Sequence, residues 1–231
     1  MTELGALIFD FDGTIADSEP LHLAAFQRTF ADECGLELTE ADYKAHYLAF
    51  DDQMMMTAFL ADRGMDVLPG RFEELLAIKE AHFEALAGEP PILPGAIALI
   101  RAASKRWPLA VASGALESEI RPILEDAGLI DCFVTIVSAE MVERGKPDPE
   151  SFLTALARIN EKRDKKILPS GALVFEDSIP GVSSGRAAGM RVLAITNSFP
   201  REQLNQADRV VDSLEEIVDT EALASWFASL S

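Results

Sequence analysis

Six short apolar runs, each closed by polar or small residues, constrain this chain more than anything else in it. They lie at 6–9, 109–112, 133–137, 172–175, 191–196 and 209–211. Short, mainly apolar runs bounded by Gly or turn residues read as strands buried on both faces. Between them lie stretches with helical spacing, at 96–105, 117–127, 149–160 and 181–189, and a last one at 221–230. Strands alternating with helices predict an α/β fold with a parallel, doubly wound, Rossmann-like sheet. With 48% apolar residues in 231, the chain has enough to bury a core of that kind.

One stretch breaks the alternation. From Asp17 to Gly88 the pattern is helical and poor in strand signals. Ser18-Glu19-Pro20 reads as a helix start, followed by Leu23, Phe26 and Phe30 at helical spacing and a stop at Gly35. Thr39 is a candidate N-cap for a second helix. Asp51 and Asp52 open a third, which runs through Met54, Met55, Phe59 and Leu60 to Gly64 with its methionines filling the core. A fourth spans 69–87, with Phe72, Leu75, Leu76 and Phe83 on one side. The prolines of 89–95 mark a linker back to the alternating part, and the mixed charges of 161–166 read as solvated. Four helices placed directly after the first strand suggest a cap over a site.

In open parallel sheets, ligands bind beyond the carboxyl ends of the strands. The first run ends on Asp10-Phe11-Asp12-Gly13-Thr14, the second on Ser113-Gly114 and the fourth on Glu176-Asp177. Lys146 sits in a Gly- and Pro-rich loop expected on the same side. Two carboxylates as close as Asp10 and Asp12 repel unless a cation or a shared proton holds them. A hard cation such as Mg2+ takes oxygen ligands and recruits phosphate, while a hydroxyl, a backbone NH and an amine hold phosphate oxygens. Each part also has a plainer explanation: an Asp-rich turn, a Ser-Gly turn, a surface Lys, an acid pair at a helix N-terminus. All of them falling together at successive strand ends is a much less ordinary coincidence.

The formal charge of -19 argues against a nucleic-acid or anionic-membrane binder. Cys34 and Cys132, with no CxxC, give no disulfide framework and no metal spacing. There is no signal-peptide pattern and no apolar run long enough for a membrane span, so a cytoplasmic protein is expected. No long exposed apolar stripe forces a dimer, and a monomer is expected.

These residues resemble the haloacid dehalogenase (HAD) superfamily, whose four dispersed motifs match Asp-Phe-Asp-Gly-Thr at 10–14, Ser113 in Val-Ala-Ser-Gly, Lys146 in Gly-Lys-Pro-Asp-Pro, and Phe-Glu-Asp-Ser-Ile-Pro-Gly-Val at 175–182. The helical insertion resembles the cap of its β-phosphoglucomutase-like and phosphoglycolate-phosphatase-like branch. The resemblance implies a catalytic core of residues 1–15 and 91–231 and a four-helix cap at 16–90. It implies Asp10 as nucleophile, Asp12 as general acid and base, and an aspartyl-phosphate intermediate. Mg2+ would be held by Asp10, Asp12, Glu176 and Asp177, and the phosphoryl group by Ser113, the Gly114 NH and Lys146. The second Asp, two residues after the first, marks the phosphotransfer members rather than the dehalogenases.

In the cap the resemblance points to His22 and Lys79 as substrate-facing residues. Mutases of this branch carry a Gly-rich turn and an Arg where this chain has Leu48-Ala49-Phe50-Asp51-Asp52. Two acids there would repel a distal phosphate, and they suit hydroxyl or amine groups of a substrate. The expectation is a phosphatase acting on a small phosphorylated metabolite, with a sugar-phosphate mutase as the alternative. A phospho-accepting signalling module is the third reading, disfavoured because such modules need no inserted cap.

Overall fold

A computed structural model describes residues 3–48, 50–86, 92–161 and 163–230. The expected linker prolines Pro90 and Pro91, the end of the fourth helix at Ala87, Ala49 of the acidic segment and Lys162 of the charge run lie outside the described residues. The chain forms two compact units, Met1–Asp17 with Pro91–Ser231, and Ser18–Pro90.

The first strand is β1 (Ala6–Phe9). The helices of the second unit follow: α1 (Glu19–Cys34), α2 (Glu40–Asp42) continuing into a π-helical turn (Tyr43–Tyr47), α3 (Asp52–Asp62) and α4 (Pro69–Leu86). The first unit then resumes with α5 (Ala96–Ala103), β2 (Leu109–Ala112), α6 (Glu117–Asp126), β3 (Phe133–Val137) and α7 (Glu150–Glu161). It ends with β4 (Ala172–Glu176), α8 (Ile179–Ala187), β5 (Arg191–Ile195), β6 (Arg209–Val211) and α9 (Thr220–Ser229).

The six strands form one parallel sheet in the order β3-β2-β1-β4-β5-β6, a Rossmann-like α/β arrangement. Side chains alternate across β1, and both faces are covered. Leu7 and Phe9 pack with Leu99, Ile100, Ile120, Leu124 and Phe227 on the side of α5, α6 and α9. Ala6 and Ile8 pack with Phe152, Leu156, Ile159 and Val182 on the side of α7 and α8. Phe9 stacks on Phe175 with ring centroids 4.4 Å apart, locking the two central strands. Strand order reverses between β1 and β4, the place where sheets of this kind open a crevice for ligands. The chain leaves and re-enters this unit at a small bridge between Ala16 and Ile92, with the Leu93 NH donating to the Ile15 carbonyl at 2.9 Å.

The helical unit has its own core, built on Phe26, Phe30, Tyr47, Met55, Met56, Phe59 and Leu75. Phe30 and Phe59 stack at 4.2 Å. Three sequence expectations shift here. Met54 is exposed, and Met55 and Met56 fill the core instead. The segment after Thr39 widens into a π-turn that buries both Tyr43 and Tyr47. In the first unit, α8 starts two residues earlier than its glycine suggested, because Ser178 caps it and Pro180 fits the first turn.

Candidate active site

Asp10 follows β1 directly, its NH bonded to the Phe175 carbonyl of β4 at 2.9 Å. The Lys146 ammonium reaches Asp10 Oδ1 at 2.5 Å and Glu176 Oε1 at 2.7 Å, so one cation joins the ends of β1 and β4. Its loop is stapled in place. The Glu150 carboxylate accepts from the Glu143 and Arg144 NH groups, and Ser184 Oγ of α8 donates to the Asp148 carbonyl. The Lys146 ammonium also sits 4.8 Å from the centroid of the Phe152 ring.

Glu176 is buried, with Oε2 accepting from the Asp177 NH, the Ser178 NH and Ser178 Oγ. A carboxylate tucked against the first turn of α8 is favoured by the helix N-terminus. The packing is tight enough that a Cβ on Gly181 would fall 1.7 Å from Glu176 Oε1. Asp177 Oδ2 accepts from Ser198 Oγ in the loop after β5. Gly13 closes on the same oxygen. Its φ is +74°, and a Cβ there would lie 1.9 Å from Asp177 Oδ2. Only glycine suits that position, for conformation and for space. Ser113 follows β2 directly, and its Oγ donates to Asp12 Oδ2 at 3.3 Å and accepts from the Ala115 NH at 3.0 Å. Gly114 is exposed beside it.

The structure thus gathers Asp10, Asp12, Ser113, Lys146, Glu176 and Asp177 at the carboxyl ends of three neighbouring strands. Two of the four carboxylates, Asp10 and Glu176, meet the one ammonium, and Asp10 is only 6% exposed. Burial pushes the Asp10 carboxyl up to about 8, with Lys146 opposing the shift and Glu176 and Asp12 adding to it. Burial works against the Lys146 charge, but Asp10 and Glu176 more than offset it and hold the ammonium above its ordinary range. The set has excess buried negative charge, donors that are all oxygen, and a turn whose missing Cβ leaves room at Asp177. That chemistry fits a hard divalent cation.

The other expected residues form a cluster inside the helical unit. Lys79 is fully buried, with its ammonium 2.5 Å from Asp52 Oδ2 and 2.9 Å from His22 Nδ1. The rings of Phe83 and Phe26 flank it, centroids at 4.9 and 5.2 Å. Burial, and then the Lys79 charge, hold the His22 imidazole well below its ordinary range, so it is neutral. Asp51 stands apart from this group: its Oδ1 accepts from the Met54 NH as the N-cap of α3. A surface histidine and a solvated lysine are both ruled out for His22 and Lys79. Two polar residues at the core site, Ser178 and Ser198, escaped the sequence reading. Ser178 had a signal, as a candidate cap ahead of Ile179-Pro180; Ser198 had none.

A family model described as haloacid dehalogenase-like hydrolase matches residues 4–189, which take in the ends of β1, β2 and β4 and the Lys146 loop. The chain belongs to the haloacid dehalogenase-like hydrolases. It is 32% identical to Protein CbbY of Rhodobacter capsulatus over 209 residues, covering 86% of this chain and 88% of that one. It is 31% identical to the phosphorylated carbohydrates phosphatase of Thermotoga maritima over 199 residues, covering 84% and 86%. It is also similar to the crystal structure of a CbbY mutant from Rhodobacter sphaeroides in complex with xylulose 1,5-bisphosphate. There the TM-score is 0.82, with 27% identity and coverage of 93% and 96%. No helix among the described residues of this haloacid dehalogenase-like hydrolase is long and apolar enough to cross a membrane.

Proposed function

We propose that this protein is a Mg2+-dependent phosphatase of small phosphorylated sugars or polyols. Residues 1–17 and 91–231, two residues more than the resemblance implied at the first boundary, form its catalytic core, and 18–90 form a cap that selects the substrate. The observation that supports it most is the meeting of Asp10 and Glu176 on the Lys146 ammonium, with Asp12 and Asp177 close by in the chain at those two strand ends. Asp10 is the nucleophile. One of its carboxylate oxygens attacks phosphorus, the bond from phosphorus to the ester oxygen breaks, and an aspartyl phosphate forms. Asp12, steadied by Ser113, gives its proton to the departing oxygen. It then takes a proton from the water that attacks the same phosphorus, which releases phosphate and restores Asp10.

Asp10, the Asp12 main-chain carbonyl and Asp177 would hold Mg2+, with Glu176 beside them fixing Lys146 and the first turn of α8. The bound ion supplies positive charge where a phosphoryl group brings more negative charge to four carboxylates. Lys146 keeps Asp10 aimed and offsets part of its charge, and with Ser113 and the Gly114 NH it binds the phosphoryl oxygens. In the cap, His22, Asp52 and Lys79 are the substrate determinants. Lys79 is already matched by Asp52 and His22 is neutral, so the cluster brings little net positive charge to a second phosphate and suits a polar, uncharged end of the substrate. That favours a monophosphate with free hydroxyls over a bisphosphate. Asp51 is assigned to helix capping alone.

Phosphate release with Mg2+ across sugar and polyol monophosphates, xylulose 1,5-bisphosphate and β-glucose 1-phosphate tests this reading. The expected result is strong release from one or a few monophosphates. Conversion of β-glucose 1-phosphate to glucose 6-phosphate with little free phosphate would make the protein a mutase. Preference for the bisphosphate would overturn the role given to Asp52.

A further inference from the structure

Asp177 is held from two sides. Its Oδ2 accepts the Ser198 hydroxyl proton, and Ser198 lies three residues beyond the end of β5. From the other side the Gly13 turn after β1 leaves no room for a Cβ, which would stand 1.9 Å from Asp177 Oδ2 and 3.1 Å from Ser198 Oγ. β1, β4 and β5 are consecutive in the sheet, so the loops after the two outer strands close on the carboxylate that follows the middle one. Asp177 is buried, and a buried carboxylate with one oxygen fixed by a donor has a set ring of directions left for its other interactions. Ser198 lies beyond the stretch matched by the family model, and no sequence motif points to it.

We propose that Ser198 is a positioning residue of the cation site: its hydroxyl sets the orientation of the Asp177 carboxylate and so the affinity for Mg2+. The inference rests on the proposed Mg2+ site. A ligand carboxylate that is already oriented loses less freedom on binding, and outer partners of this kind typically contribute about 10- to 100-fold in metal affinity. The Ser198 O–H donates and the Asp177 oxygen accepts, so the bond also survives when the carboxylate is ionised, the form a cation requires.

The test is Mg2+ binding measured by titration calorimetry on the full chain, for wild type, Ser198→Ala, Ser198→Thr and Asp177→Asn. Circular dichroism and melting of each metal-free protein serve as controls. Ser198→Ala is expected to raise the Kd for Mg2+ about 10- to 100-fold, with the metal-free fold and melting near wild type. Ser198→Thr keeps the hydroxyl and is expected to stay near the wild-type Kd. If Asp177→Asn weakens binding and Ser198→Ala does not, the role of Ser198 is overturned and the metal site stands. That role is overturned equally if Ser198→Ala lowers only the metal-free melting temperature. If wild type takes up no Mg2+, the metal site falls and the role of Ser198 falls with it.

Discussion

Lys79 carries a charge with no exposed surface, and desolvation on that scale costs several kcal/mol unless counter-charge and hydrogen bonds meet it. Asp52 and His22 provide both, and the flanking Phe rings turn their negative faces to the ammonium. The two partners of this ion pair differ in one respect that matters: Asp52 keeps 28% of its side chain in solvent, and Lys79 keeps none. Truncating them is therefore unequal. Asp52→Ala takes the carboxylate from a buried ammonium and is expected to cost about 3 kcal/mol, the low end for a broken buried pair. Lys79→Met leaves an acid that can turn to water and fills the space with apolar atoms, at a cost of about 1 kcal/mol or less. Urea melts of the two variants check this; equal losses would mean that the charge is not what holds the cluster. Nothing in the residue pattern around Lys79 revealed the pairing, because Asp52 is 27 residues away and only the packing of α1, α3 and α4 brings His22, Asp52 and Lys79 together.

Helix ends were the most legible elements, because a cap is a local arrangement that the sequence spells out. Thr39 accepts from the Asp42 NH, Gly35 closes α1 at a φ of +64°, and Pro20 sits in the first turn of α1. Asp51 belongs to the same class, although side by side with Asp52 the two acids could not be told apart in sequence. Asp51→Ala should destabilise the protein by about 1 kcal/mol through the lost N-cap and leave relative rates across the substrate panel unchanged. Asp52→Asn should change those relative rates. If Asp51→Ala shifts substrate preference as Asp52→Asn does, the division of labour between them is wrong. The π-turn at Tyr43–Tyr47 and the exposure of Met54 were not legible, since both depend on which helix faces pack together inside the helical unit. The inner strands were read nearly to their ends because a parallel strand covered on both faces is a near-continuous apolar run; β3 and β6, at the sheet edges, keep partly exposed positions.

Across the whole molecule, chain order hid the adjacency that makes the site. The strands at 6–9 and 172–176 are far apart in sequence and neighbours in the sheet, and their ends bring Asp10 to Glu176 through Lys146. A site built at the strand-order reversal can be anticipated from the alternation of elements, which is why the acids and Lys146 could be named. Ser198 could not, because a serine in a loop has many uses and only the sheet order shows which carboxylate it meets. The net charge of -19 adds a general repulsion for anionic substrates, which local positive groups such as Lys146 would have to offset. The proposed mechanism turns on Asp10 as the residue that receives the phosphoryl group. A preferred sugar phosphate carrying labelled phosphorus, mixed with enzyme and Mg2+, quenched in acid and digested, tests it directly. The expected result is label on the peptide that contains Asp10, and no label and no turnover with a folded Asp10→Asn variant. Turnover by Asp10→Asn near the wild-type rate, or label on another residue, would contradict it.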